Sequence, residues 1–255
     1  MTRFRLLTHL NTPQGQKALG HTGYIDGPSS RYFPGDDLAG RFVRALAERR
    51  AVPMKEVLES FEFFAAVRRE VRRETVLDLC AGHGLVGVLF ALYERSVERV
   101  CLVDWRPPES RKKVLEAAAS VAPWVRDKIE LMDHKIEQLD TRMPKQACVV
   151  SVHACGQRTD QCIELALESG GTLAVMPCCR SKRKSICSPA VALHLGHDLA
   201  IDIDRTYRME AGGLHVRWAS VPEVITPQNR VLVGKPRLTD GGPQPSVPAQ
   251  QSALE

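Results

Sequence analysis

The sequence predicts an α/β fold, a seven-stranded, mostly parallel sheet with helices on both faces. Three observations carry this. From about residue 74, short apolar runs alternate with stretches of helical period, the pattern of parallel strands joined by crossover helices. A turn holding three glycines closes the first of these runs, in VLDLCAGHGLVG (76–87). The last two runs are joined by a segment too short for a crossover helix, PEVITPQ, so they pair antiparallel at one edge and leave an antiparallel last strand.

Taken in order, residues 1–35 are dense in turn formers (NTPQGQ, GHTGYIDGPSS) and read as an irregular lead-in. From Asp37 to about Arg73 apolar residues recur at helical spacing: Leu38, Phe42 and Leu46, then Val57, Phe61, Phe64 and Val67. The strand candidates are 75–80, 99–105, 128–133, 147–153, 172–178, 215–221 and 229–236. Helix candidates between them are 85–95, 109–120, 135–140 and 159–169. From Pro236 the chain is rich in Pro, Gly, Ser and Gln, which predicts disorder. The expected organisation is therefore a lead-in and helical extension over 1–69, the α/β domain over 70–236, and a tail over 237–255.

A length of 255 residues suffices for a full core, and 44% hydrophobic with 25% charged residues is the composition of a globular protein. The net charge of +5 fits an anionic partner but does not by itself argue nucleic acid. Several of the eight cysteines lie in apolar runs and none forms a C-x-x-C pair, which argues against a disulfide scaffold and a structural zinc site. No metal is expected. The N-terminus lacks a sustained apolar core and no apolar run approaches the roughly 18 residues of a membrane span. A cytoplasmic protein without membrane contact is expected.

The glycine turn falls at the carboxyl end of the first strand, where open α/β sheets bind ligands. Ala81, Gly82 and Gly84 would let the backbone pass close to one. Asp78 lies inside the strand, where a carboxylate is costly unless paired; it orders the turn or meets a cationic ligand group. Asp104 ends the second strand, placed to accept both hydroxyls of a ribose, and Trp105 follows it to stack on adenine or ribose. Asp133, with His134, ends the third strand, within reach of an adenine amino group. Together they predict an adenosine ligand without a pyrophosphate. Gly82, Gly84 and Gly87 also satisfy G-x-G-x-x-G, so an NAD-binding oxidoreductase stays open. Asp78 tilts the choice toward S-adenosylmethionine (SAM), whose ammonium and sulfonium are both positive.

The fourth strand ends in VSVHACGQRTD (150–160), which brings His153 and Asp160 toward the cleft, with Thr159 and Asp160 as the cap region of the next helix. The fifth ends in MPCCRSKRKS, placing Cys178 and Cys179 near His153 and Cys155. The basic run 180–184, beginning at Arg180, reads either as a solvated loop or as a grip on phosphate.

The segments LDLCAGHGLVGVLFA, HACGQRTDQCIELAL, VMPCCR and PEVITPQNRVLVG resemble SAM-dependent methyltransferases of the H-A-C-G-x-x-T-D / P-C-C type, over roughly 70–236. More distantly the chain is similar to acceptor-stem tRNA 2′-O-methyltransferases. The resemblance implies a Rossmann-like class I methyltransferase fold, SAM contacts at Asp78, Gly82, Gly84, Asp104 and Asp133, and an active-site wall from His153, Cys155 and Gly156. His153 is then the candidate base, Asp160 a second catalytic candidate, and Cys155, Cys178, Cys179 and Arg180 face the methyl acceptor. An RNA acceptor would be held through residues 180–184. In two places the chain departs from the pattern: Cys80 stands where many SAM enzymes have glycine, and Arg180 where relatives often carry Tyr or His. A module of the same fold that binds SAM without catalysis is the third reading.

Overall fold

The protein is described by a computed structural model covering residues 3–139, 144–178 and 187–237. Cys179, the basic run 180–184 and the expected tail past residue 237 lie outside the described residues.

Seven strands form one sheet: β1 (Thr75–Leu79), β2 (Arg99–Val103), β3 (Ile129–Met132), β4 (Cys148–Val152), β5 (Thr172–Met176), β6 (Leu214–Ser220) and β7 (Arg230–Pro236). Their order is β3-β2-β1-β4-β5-β7-β6. The first five strands pair in parallel, and β7 enters antiparallel between β5 and β6, as the short connection predicted. Strand order reverses between β1 and β4, so a crevice opens at their carboxyl ends.

The helices are α1 (Leu38–Glu48), α2 (Met54–Val71), α3 (Leu85–Tyr93), α4 (Ser110–Val121), α5 (Val125–Lys128), α6 (Gln157–Ser169), α7 (Pro189–Leu195) and α8 (His197–Ala211). Successive strand residues point to opposite faces, so Val76, Val100 and Leu102 join the core under α1 to α4. Leu77, Cys101 and Val103 join the second core, under α6 and α8.

Several elements differ from the sequence expectation. Of the predicted helix 135–140, the described residues 135–139 form only one 3-10 turn, Ile136–Gln138. Helix α6 begins at Gln157, ahead of the predicted 159, because Gly156 turns the chain at φ +64°, ψ −126°, a conformation that suits glycine. Thr159 and Asp160 thus sit inside the first turn rather than capping it. Helices α7 and α8 have no counterpart among the predicted elements. The buried face of α8 carries Asp202 and Arg205 among Ala200, Ile201 and Met209, which breaks the apolar period.

The lead-in is irregular yet tightly packed. It makes short 3-10 turns and buries Phe4, Leu7, Leu10, Ile25 and Phe33 in the core shared by α1 to α4. The buried Glu62 carboxylate of α2 accepts the backbone N–H groups of Arg5, Leu6 and Leu7 at 2.8, 3.1 and 3.4 Å. No break in packing marks residue 69, since α2 and β1 share that core.

Candidate active-site cleft

Two hollows open at the carboxyl edge of the sheet, and Cys80 lines both. The larger, about 440 Å³, is bounded by Asp104, Trp105, Arg106, His134, Ile136 and Arg158. The smaller, about 240 Å³, is bounded by Asp78, Ala81, Gly82, His83, His153 and Glu59. The strand order creates this arrangement: β1 and β4 are neighbours, and both leave the sheet in left-handed backbone, Cys80 at φ +55° and His153 at φ +67°.

Asp78 is 2% exposed and accepts the N–H of Gly87 at 2.8 Å, tying β1 to the first turn of α3. Burial pushes its carboxyl up to about 7, against the Gly87 hydrogen bond and the Arg111 charge, which hold it down. Asp104 accepts from the N–H groups of Gly82 and Arg106, each at 3.0 Å. Gly84, at φ +79°, closes the turn and caps α3. Gly87 serves packing: a Cβ there would stand 2.4 Å from Leu102 Cδ2 and 2.9 Å from Val100 Cγ1.

Arg111 on α4 is the counter-ion that the sequence did not disclose. It is 4% exposed, donates from Nε to the Gly82 carbonyl at 3.0 Å, and interacts electrostatically with Asp78, Asp104 and Asp133. Asp133, expected at the adenine, is exposed and lies 3.5 Å from Arg111 Nη1, while its neighbour His134 lines the larger hollow. Trp105 is 44% exposed, with the Arg106 guanidinium 4.0 Å and the Lys135 ammonium 4.6 Å from its ring centroid.

On the other side of the cleft, His153 Nε2 lies 2.8 Å from Glu59 Oε2, on a side chain that is 1% exposed. His83 Nε2 approaches Glu56 at 3.1 Å, and its Nδ1 meets the Ser110 hydroxyl at 2.6 Å. Both glutamates belong to α2, one helical turn apart. Neither was singled out by the sequence; the signal available was three acids, Glu56, Glu59 and Glu62, embedded in the mostly apolar run EVLESFEFF. The thiols of Cys155 and Cys178, which follow the neighbouring strands β4 and β5, lie 3.0 Å apart. Asp160 does not share the cleft-facing setting expected of it. Its carboxylate is bound by Arg205 at 3.0 Å and by Arg208; burial pushes its pKa up, and these guanidinium partners outweigh that and hold it below the ordinary carboxylate value. Among the described residues no group of three or more His, Cys, Asp or Glu side chains is arranged to hold a metal. No helix among them is long and apolar enough to cross a membrane.

The donor set tests which ligand fits. The N–H groups of Gly82 and Gly87 already meet carboxylates, so a pyrophosphate would face Asp78 and Asp104 instead of free donors. A cationic group beside Asp78 and hydroxyls beside Asp104 match what the residues offer, and a Cβ built on Gly82 meets nothing within 4 Å. A family model described as a methyltransferase domain matches residues 53–185, and the chain belongs to that family. No curated protein matches the sequence. Among solved structures the chain is similar to three proteins from different organisms. One is a Methanococcus jannaschii fibrillarin pre-rRNA processing protein, at 15% identity, covering 65% of this chain and 67% of that one, TM-score 0.44. Another is a Corynebacterium glutamicum protein, at 12% identity, covering 81% and 93%, TM-score 0.48. The third is an Aquifex aeolicus SAM-dependent methyltransferase, at 14% identity, covering 69% and 90%, TM-score 0.39. The fold is the Rossmann-like methyltransferase fold and the cofactor is SAM.

Proposed function

We propose that the protein transfers a methyl group from SAM to RNA, with His153 as the base at the methyl acceptor. One observation carries the reading: His153 leaves β4 beside the Asp78–Gly82 turn of β1 and lines the same hollow, held by a buried carboxylate. Bound SAM supplies an activated methyl on a positive sulfonium. Asp78 would meet the cationic part, Asp104 the ribose, and Trp105 with His134 the adenosyl side, while Ala81, Gly82 and Gly84 let the backbone approach. Asp133 acts in this scheme through Arg111. Positioning and proton removal are what remain for the protein.

RNA is favoured by the cations Arg106, Lys135 and Arg158 at the larger hollow and by the run 180–184 that follows Cys178 and Cys179 in sequence. Cys155 and Cys178 would shape the wall toward this acceptor, with Cys179 and Arg180 continuing it. Asp160 is assigned to holding α6 on α8 through Arg205 and Arg208 rather than to chemistry. We assign the chain to the H-A-C-G-x-x-T-D / P-C-C type and place it in the cytoplasm, where its thiols stay reduced.

The test is incubation with methyl-labelled SAM and separate pools of cell RNA, protein and small molecules. Label in the RNA pool is expected. Label confined to protein or metabolites would overturn the RNA assignment, and SAM binding without label in any pool would leave a binding module.

A further inference from the structure

We infer that Glu59 is the positioning residue of the reaction, fixing His153 in the tautomer whose Nδ1 takes the methyl acceptor's proton. The inference rests on the methyltransferase reading above and adds a residue from α2, a helix outside the strand–helix alternation.

Glu59 sits mid-helix with a side chain 1% exposed, a setting in which a carboxylate is costly without partners. Its neighbour Glu62 has a structural reason, the N–H groups of the lead-in. Glu59 has none of these. Its partners are His153 Nε2 at 2.8 Å and the Lys55 ammonium at 3.5 Å from Oε1. The Lys55 ammonium lies beside this carboxylate, and a carboxylate paired with a cation only accepts hydrogen bonds. The Nε2 of His153 must therefore carry the proton, which leaves the lone pair on Nδ1. Nδ1 has no hydrogen-bond partner among the described residues. His83 provides the contrast. It rests on Glu56 in the same way, but its Nδ1 is engaged by Ser110, so it latches the glycine turn to α2 and α4.

The backbone agrees with this division. His153 is held at φ +67°, where a residue with a Cβ is disfavoured, and its ring meets Glu59 of α2. In the transfer step, a lone pair of the acceptor atom forms the new bond to the methyl carbon. The sulfur–methyl bond breaks with its electrons going to sulfur. The proton on the acceptor atom passes to Nδ1, and the Glu59 carboxylate stabilises the resulting imidazolium. Such a base serves a hydroxyl or an N–H group that must lose a proton; a ring nitrogen with a free lone pair would have no use for it.

The experiment uses the full chain labelled with ¹⁵N at histidine, with His153→Ala to assign the His153 signals. At a pH above about 8, where imidazole is neutral, the nitrogen shifts of His153 report its tautomer directly. A single Nε2–H tautomer in the wild type is expected, collapsing to a mixture in Glu59→Leu. SAM binding by calorimetry should be retained in that variant. A wild-type His153 protonated at Nδ1, or a tautomer ratio unchanged in Glu59→Leu, would overturn the inference. If the variant fails to fold, the wild-type spectrum alone decides. Absence of SAM heat in the wild type would instead count against the methyltransferase reading. Where the RNA assay gives a rate, Glu59→Leu should lower kcat by roughly 10²-fold while the KM for SAM stays unchanged.

Discussion

Burial pushes the Asp78 carboxyl from its ordinary 3.8 up to about 7, so the folded protein without cofactor favours the neutral acid. A group whose folded value is raised contributes stability in full below its ordinary value and loses it as pH rises through the folded value. The thermal midpoint of the SAM-free protein should therefore fall as pH rises from about 4 to about 7 and level off above that. Asp78→Asn keeps an acceptor for the Gly87 N–H and should flatten that slope. Cofactor binding runs the opposite way: a cationic ligand prefers the ionised carboxylate, so SAM affinity should rise across the same window. Calorimetry at three pH values checks both signs, and an affinity independent of pH in the wild type would remove Asp78 from the cationic end. The Asp104 assignment has its own test. Loss of two hydrogen bonds from a charged acceptor is worth about 3–6 kcal/mol, so Asp104→Ala should raise the Kd for SAM by about 10²–10⁴-fold. Unchanged affinity would refute the ribose role.

At the scale of elements, α3 lies on the sheet closely enough that position 87 admits no side chain. A Cβ there would meet Leu102, Val100 and the Cβ of Asp78 at 2.4, 2.9 and 3.2 Å. Gly87→Ala should cost about 1–3 kcal/mol in a denaturant melt, since an overpacked contact between helix and sheet has no soft partner. It should also weaken SAM binding, because the N–H that steadies Asp78 moves with the helix. What the sequence made legible here was what repeats locally. The strands showed as apolar runs, the turn as glycines, and Asp78 and Asp104 as acids at strand ends. The partners of those residues were not legible. Arg111 looks like any basic residue on a polar helix, and it becomes a counter-ion only when α4 is laid beside the turn. Glu59 meets His153 across 94 positions of chain, a pairing that no spacing rule reaches. Helix α8 escaped for a related reason: Asp202, fully buried, is paired with Arg230 at 2.9 Å, so its inward face mixes charge with apolar residues.

Over the whole molecule, the question is whether the segment before the family match is an appendage. The match begins at residue 53, which invites a cut there. Packing argues against one. Phe42, Val43 and Leu46 of α1 are fully buried, as are Leu10 and Ile25 of the lead-in, all in the core that also holds Phe64 and Phe90. Removing residues before 53 would strip that cover from α2 and α4 and leave Glu62 buried without its backbone partners. Helix α2 in turn carries Glu59 and Glu56 into the cleft and ties to β6 through the Glu70–Arg217 ion pair. The full chain should therefore unfold in one transition seen equally by far-ultraviolet dichroism and tryptophan fluorescence. A chain starting at residue 53 should bind a hydrophobic dye and lose SAM binding, even though it holds every strand. Glu62→Ala offers a milder form of the same disruption. It should cost about 3 kcal/mol and make the bonds around residues 5–7 the first cut in limited proteolysis. A truncated chain that melts cooperatively and binds SAM with wild-type affinity would show that the lead-in is dispensable, and would overturn the claim that the site depends on the residues before 53.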